Sequence, residues 1–263
     1  MGWVARYTFP TTPPAQPCHL LARLAARWRR NSPSTVWRRC RSCLQCRAAG
    51  ARLSTCTVHR SIRARGPRCS LDSVKSDNRV VSSDDEQLIL VDHDDREVGF
   101  LAKADAHLGR GTLHRAFSLF VFNPAGELLL QQRAKGKRLW PGYWSNSCCS
   151  HPRRGEKMDS AIHRRLQEEL GLNAELEFLF KFQYQAQYDA HGAEHELCWV
   201  YAGRGAERPR ANVHEIAAWR YVTQQALQAE ITCAPETFTP WFKLEWARIL
   251  GAHTPVLGTT RTR

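Results

Sequence analysis

The chain has 263 residues, enough for one or two domains with a sizeable core, and its formal charge of +13 is unevenly spread. Of its 38 basic residues, 14 are Arg within residues 1–71, which hold no Lys, Asp or Glu; the remainder carries 24 basic against 25 acidic residues, which excludes a general nucleic-acid footprint there. No run of eighteen apolar residues occurs, which excludes a membrane-spanning helix.

The leading segment is rich in Arg and Ser and free of acid, the composition of an organelle transit peptide, and His19 to Arg30 could form its short amphipathic helix. The same stretch fits a basic arm, or upstream sequence read from too early a start. The abrupt change at Asp72 suits the last reading well. We expect residues 1–73 to be a disordered basic extension, transit-peptide-like or a mis-assigned start. Residues 74–86 read as a polar, acidic linker, 87–252 as the folded domain and 253–263 as a flexible tail. Cys40, Cys43 and Cys46 have iron–sulfur spacing but lack a fourth ligand at a sensible distance and the following Pro. Cys148, Cys149, Cys198 and Cys233 do not read as a secreted disulfide framework and suit a reducing compartment.

Within the domain, Gln87 to Asp92 is a short apolar run and Glu97 to Leu101 pairs back on it across a turn at His93–Arg96. His114 to Asn123 is β-branched and aromatic, a central strand. A turn at Pro124–Gly126 leads to a returning strand, Glu127 to Arg133. A loop with two Trp, a Pro and a Gly then precedes a helix. Met158, Ile162, Leu166 and Leu170 recur every four positions with Ala161 beside them, one buried stripe, and Gly171 stops it. Ala174 to Tyr188 and Glu196 to Ala202 are strand-like, joined by a polar bend at Asp189–Gly192. Helices are predicted around Gln224–Ala229 and over Pro240–Leu250, the latter with Trp241, Leu244, Trp246 and Ile249 as its apolar set. The order predicts one α+β domain, helices covering a mixed sheet.

Four groups of residues could carry chemistry. His107, His114 and His151, with Glu194 and Glu196 two apart on one strand face, suit a divalent metal such as Mn²⁺ or Zn²⁺, although isolated His residues are more often structural. Arg165 and Glu169 share a helix face, as do Arg164 and Glu168; this is a solvated surface with weak ion pairs or an anion site. Arg133, Lys135, Lys137 and Arg138 cluster before the Trp-rich loop and leave the same two readings open. Cys149 could be a nucleophile, a proton donor or a buried small hydrophobe.

Ser150 to Leu172 resembles the Nudix box: Glu156, Arg164, Leu166, Glu168, Glu169, Gly171 and Leu172 match, while Ser150 replaces the first glycine and Arg165 a hydrolase metal-ligating glutamate. That departure is similar to the type 1 isopentenyl-diphosphate Δ-isomerases. SNSCCSHP at Ser145–Pro152, LHRAFS at Leu113–Ser118, WPGYW at Trp140–Trp144, EHELC at Glu194–Cys198 and Pro240–Trp241 also match, in order. The resemblance covers about Gln87 to Leu250 and implies a Nudix fold that interconverts isopentenyl and dimethylallyl diphosphate through a tertiary carbocation. It implies catalytic roles for Cys149 and Glu196 with Tyr184 assisting. His107, His114, His151, Glu194, Glu196 and Cys149 would lie at a Mn²⁺ or Zn²⁺ site, and Glu169 would hold a Mg²⁺ that accompanies the diphosphate. Lys103, Arg133, Lys137 and Arg165 would bind that diphosphate and Trp241 would cover the hydrocarbon end. A small-molecule substrate, no nucleic-acid or membrane partner, a monomer or weak dimer, and a cytoplasmic (or, with a true transit peptide, organellar) location follow as expectations. A Nudix pyrophosphohydrolase and a non-catalytic diphosphate-binding module are the competing readings.

Overall fold

The computed structural model describes residues 79–190 and 192–252; the basic extension, the start of the linker and the C-terminal tail lie outside the described residues. The architecture grows from β3 (His114–Phe122), whose residues are buried on both faces. A strand alternates its side chains, so a continuous apolar run must be covered twice. Phe117, Leu119 and Val121 enter one core with Ala161, Ile162, Leu166 and Leu170. Ala116, Phe120 and Phe122 enter another with Leu227, Trp241, Phe242, Trp246 and Ile249.

The helices behind those cores are α2 (Met158–Leu170), α3 (Gln224–Cys233) and α4 (Pro240–Ala252); α1 is a short turn of helix at Lys103–Ala106. The strands are β1 (Gln87–Val91), β2 (Glu97–Ala102), β3, β4 (Leu128–Arg133), β5 (Trp144–Ser145), β6 (Cys148–Ser150), β7 (Glu175–Asp189), β8 (Gly192–Arg204) and β9 (Ile216–Val222). Among the described residues they form one mixed sheet. β3 pairs antiparallel with β4 and β6 and parallel with β8, and β8 continues to β7. The β3–β4 turn is held by Asn123, whose side-chain oxygen accepts from the Glu127 amide at 2.9 Å. Gly171 closes α2 at φ 60°, its amide donating to the Gln167 carbonyl.

The α+β mixed sheet with covering helices is as expected. Three details differ. β9 was not predicted, because Ile216–Val222 opens with two weak strand formers, Ala217 and Ala218, after its first residue. The Cys-rich loop holds two short strands, β5 and β6, too brief to show a period. The buried face of α4 is Trp241, Phe242, Glu245, Trp246 and Ile249, while Leu244 is only half-buried; a glutamate stands on the face that hydrophobicity alone would fill differently.

The described part of the linker, residues 79–86, has no helix or strand but is tied down. The Arg79 carbonyl accepts from Asn212, the Val81 carbonyl from Arg153 and Arg165, and the Ser82 hydroxyl from Lys103. No helix among the described residues is long and apolar enough to cross a membrane.

Candidate active site

A cavity of about 360 Å³ opens where α1, the end of β4, β6, α2, β8 and the start of α4 meet, beside the first residues of β3. The register places it: His114 lies opposite Glu196 on β8, and Ser118 opposite Cys149 on β6. Cys149 and Glu196 thus approach the cavity from the two strands that flank β3.

His107, His114, His151, Glu194 and Glu196 offer five ligand atoms, all within 4.8 Å of one another, and every one of the five is buried or nearly so. Ligands about 2.0–2.2 Å from one ion are at most about 4.4 Å apart, so the five atoms need draw in by only a few tenths of an ångström to share one. The imidazoles are oriented from behind. The Nδ1 of His107 donates to the Lys103 carbonyl at 2.6 Å and that of His114 to the Thr112 carbonyl at 2.7 Å, which turns each Nε2 inward. The inward Nε2 of His114 is fully buried without a hydrogen-bond partner, the orphan atom a ligating imidazole would show. Burial and the neighbouring His107 hold His114 at about 4, and burial keeps His151 well below the usual range, so both imidazoles are neutral, the form that can ligate a metal ion. Burial lowers His107 too, but the Glu194 carboxylate 2.8 Å away outweighs it and raises this imidazole. The residues therefore fit a divalent ion. Cys149, also expected near it, is not one of the five; it lines the cavity beside them. Addition of Mn²⁺ or Zn²⁺ to chelator-stripped protein is expected to raise the melting temperature, and Glu194→Gln to remove most of that rise; an equal rise in the variant would sink the assignment.

Glu196 sits at the junction. Its Oε2 accepts from the Tyr184 hydroxyl at 2.6 Å and its Oε1 lies 3.0 Å from His151 Nε2. Burial, then the charge of Glu194, pushes its carboxyl well above the usual range. Burial also drives the Cys149 thiol up to about 12, opposed by Arg133, whose guanidinium is 3.9 Å from Sγ. The Trp241 ring closes the pocket; it lies edge-on to Trp140 at 5.2 Å and carries Arg133 5.3 Å from its centroid.

Cations also line the cavity, among them Lys103, Arg133, Lys137 and Arg165. Arg165 is 3% exposed and bonds Glu169 at 2.5 Å and Glu168 at 2.9 Å, so the Arg165–Glu169 face of α2 is interior rather than solvated. Lys135 is exposed and does not line the cavity, whereas Arg138, though exposed, lines its rim and donates to the Ala104 carbonyl at 3.1 Å. Glu215, which sequence reasoning missed, is buried among these cations: it pairs with Lys137 and lies 3.3 Å from Arg165. Burial raises its carboxyl, but Lys137 and Arg165 outweigh this and hold it at about 2. Nothing in the loop sequence around it, Asn212 to Glu215, distinguishes it from an ordinary surface acid.

Residues 112–242 match the NUDIX domain. The chain is 48% identical over 170 residues to isopentenyl-diphosphate Delta-isomerase 1 of Photorhabdus laumondii, covering 64% of this chain and 97% of that protein. It is 46% identical over 169 residues to the isopentenyl-diphosphate Delta-isomerase of Serratia proteamaculans, covering 64% and 93%. The chain belongs to the isopentenyl-diphosphate Δ-isomerases of the Nudix superfamily. A crystal structure from Deinococcus radiodurans shares the fold, with a TM-score of 0.52 at 24% identity over 62% of this chain and 98% of that one. In this isomerase the hydrolase-type glutamate is replaced by Arg165, and the structure shows what the change does: the guanidinium fills the position with positive charge, bonded by carboxylates of its own helix.

Proposed function

We propose that this chain interconverts isopentenyl diphosphate and dimethylallyl diphosphate, using Glu196 and Cys149 as its two proton-transfer groups. The observation that carries the reading is that these two side chains enter one cavity from strands on either side of β3, with Trp241 between the walls. Moving the double bond needs a proton added to the terminal carbon and another removed from the neighbouring methylene on the opposite face. A tertiary carbocation lies between. An alkene is a weak base, so the acid must be held close and dry.

Glu196 supports the role of acid. It is buried, its carboxyl holds a proton strongly, and Tyr184 donates to its other oxygen and so fixes its orientation. Cys149 then takes a proton from the substrate, and the roles reverse for the back reaction. A thiol raised by burial yields its proton reluctantly; Arg133, within 3.9 Å, is the cation placed to favour the thiolate. The Trp241 face stabilises the cation by its quadrupole, worth roughly 2 kcal/mol when desolvated. His107, His114, His151, Glu194 and Glu196 would hold Mn²⁺ or Zn²⁺, and Glu169 a Mg²⁺ accompanying the diphosphate. Positive charge at these places would ease proton release from Glu196 and offset the charge of the diphosphate. Lys103, Arg133, Lys137 and Arg165 grip the diphosphate itself. The single-polypeptide or weakly dimeric state and the cytoplasmic or organellar setting belong to the same proposal.

NMR of the protein given isopentenyl diphosphate and Mg²⁺ in deuterated water is the test. Dimethylallyl diphosphate carrying deuterium is the expected product. Free phosphate without isomer would overturn the reading in favour of hydrolysis.

A further inference from the structure

The cations of the anion site are already bonded to oxygen. Lys103 donates to the Ser82 hydroxyl, Lys137 to Glu215, and Arg165 to the Val81 carbonyl and to Glu168 and Glu169, with Glu215 in ion-pair reach of it at 3.3 Å. Among these acceptors Glu215 differs. Glu168 and Glu169 arise from the helix that carries Arg165, whereas Glu215 comes from the separate loop before β9. That loop is stapled in place. The Asn212 amide donates to the Glu169 carbonyl at 2.8 Å, the Glu215 amide to the Asn212 carbonyl at 3.0 Å, and the Ala134 amide to the Glu215 carbonyl at 2.9 Å. Glu215 is 2% exposed and lines the cavity directly.

A buried carboxylate aimed into a pocket built for an anion needs a reason, since it repels the ligand the pocket serves. We propose that Glu215 is the resident counter-ion of the diphosphate site: it offsets the charge of Lys137 and Arg165 while the site is empty and loosens the grip on substrate and product alike. This rests on the isomerase reading. In the empty site, the five Lys and Arg residues that line one cavity would repel one another; Glu215 offsets part of this repulsion at Lys137 and Arg165. When the diphosphate arrives, its oxygens take over Lys137 and Arg165, and Glu215 is left beside a polyanion. Substrate and product carry the same diphosphate. Tight binding of that group is therefore uniform: it does not speed the chemical step, and it slows departure. A fixed negative charge in the site opposes such over-tight binding.

Calorimetric titration of wild-type, Glu215→Gln and Glu215→Asp proteins with inorganic pyrophosphate and Mg²⁺ tests this. Removing one negative charge within ion-pair reach of the anion is expected to tighten pyrophosphate about tenfold in Glu215→Gln. KM for isopentenyl diphosphate should fall with it. Glu215→Asp keeps the charge and should show no gain. A gain of affinity cannot arise from a damaged fold. Unchanged or weaker binding in Glu215→Gln, or equal gains in both variants, would overturn the counter-ion role while leaving the isomerase reading intact. Failure of the wild-type protein to bind pyrophosphate at all would overturn that reading, and the counter-ion role with it.

Discussion

Cys149→Ala and Glu196→Gln are each expected to lower isomerisation by about 10²–10⁴-fold, the range that a positioned acid or base supplies. The argument differs for the two. Glutamine at position 196 retains an oxygen for the Tyr184 hydroxyl, which now donates at 2.6 Å, and a group for His151 at 3.0 Å, but it has no proton to give. Alanine at position 149 removes a thiol that Arg133 approaches at 3.9 Å, and leaves the strand pairing of Ser118 with residue 149 intact. Neither change touches Lys103, Lys137 or Arg165. Both variants should therefore still bind inorganic pyrophosphate, which separates loss of proton transfer from loss of fold. Single-turnover NMR in deuterated water reads the effect. Wild-type rates in either variant would remove that residue from the pair.

The second large effect concerns stability. Glu245 lies on α4 with no exposed surface, its Oε1 accepting from the Cys198 thiol at 3.5 Å and its Oε2 unpartnered. Burial raises this carboxyl from 4.5 to about 8, against the smaller opposing pull of the Ser118 and Cys198 side chains. The folded protein consequently holds a proton that the unfolded chain has lost across that interval. Stability from this group is full below pH 4.5, declines as pH rises, and levels off above about 8. The loss amounts to about 4–5 kcal/mol, at about 1.4 kcal/mol for each pH unit of the interval. Glu245→Gln should abolish it. Its melting temperature is expected to exceed the wild-type value by about 10 °C at pH 8 and by little near pH 4.5. An equal difference at both pH values would show that Glu245 is not the titrating group, because Glu196, also raised by burial, is present in both proteins.

What was legible in the sequence followed from repetition. The four-residue stripe of α2 and the unbroken apolar run of β3 each repeat one signal long enough to be read, and together they place the sheet and the helix that covers it. The motif residues His107, His114, His151, Glu194 and Glu196, scattered over ninety positions, do converge, but their convergence was carried by resemblance rather than by spacing. Glu215 and Glu245 were illegible. Each is a charged residue whose burial depends on partners distant in sequence: Lys137 and Arg165 for one, Cys198 and Ser118 for the other. Propensity and period carry no information about such partners. β9 was missed because its strand identity comes from seven residues laid against β4, not from its own composition.

The parallel pairing of β3 with β8 sets a time order on the molecule's assembly. It joins His114 to Glu196 and continues as far as Phe122 and Arg204, contacts that span more than eighty residues of intervening chain. Such long-range pairings close late, because the chain entropy of the large loop must be overcome before they contribute. The β3–β4 and β7–β8 hairpins, by contrast, are local and can form early. Glu194 and Glu196 reach the three imidazoles only when β8 docks beside β3. The His/Glu cluster and the meeting of Cys149 with Glu196 at one cavity are therefore late features of folding, absent until β8 has docked.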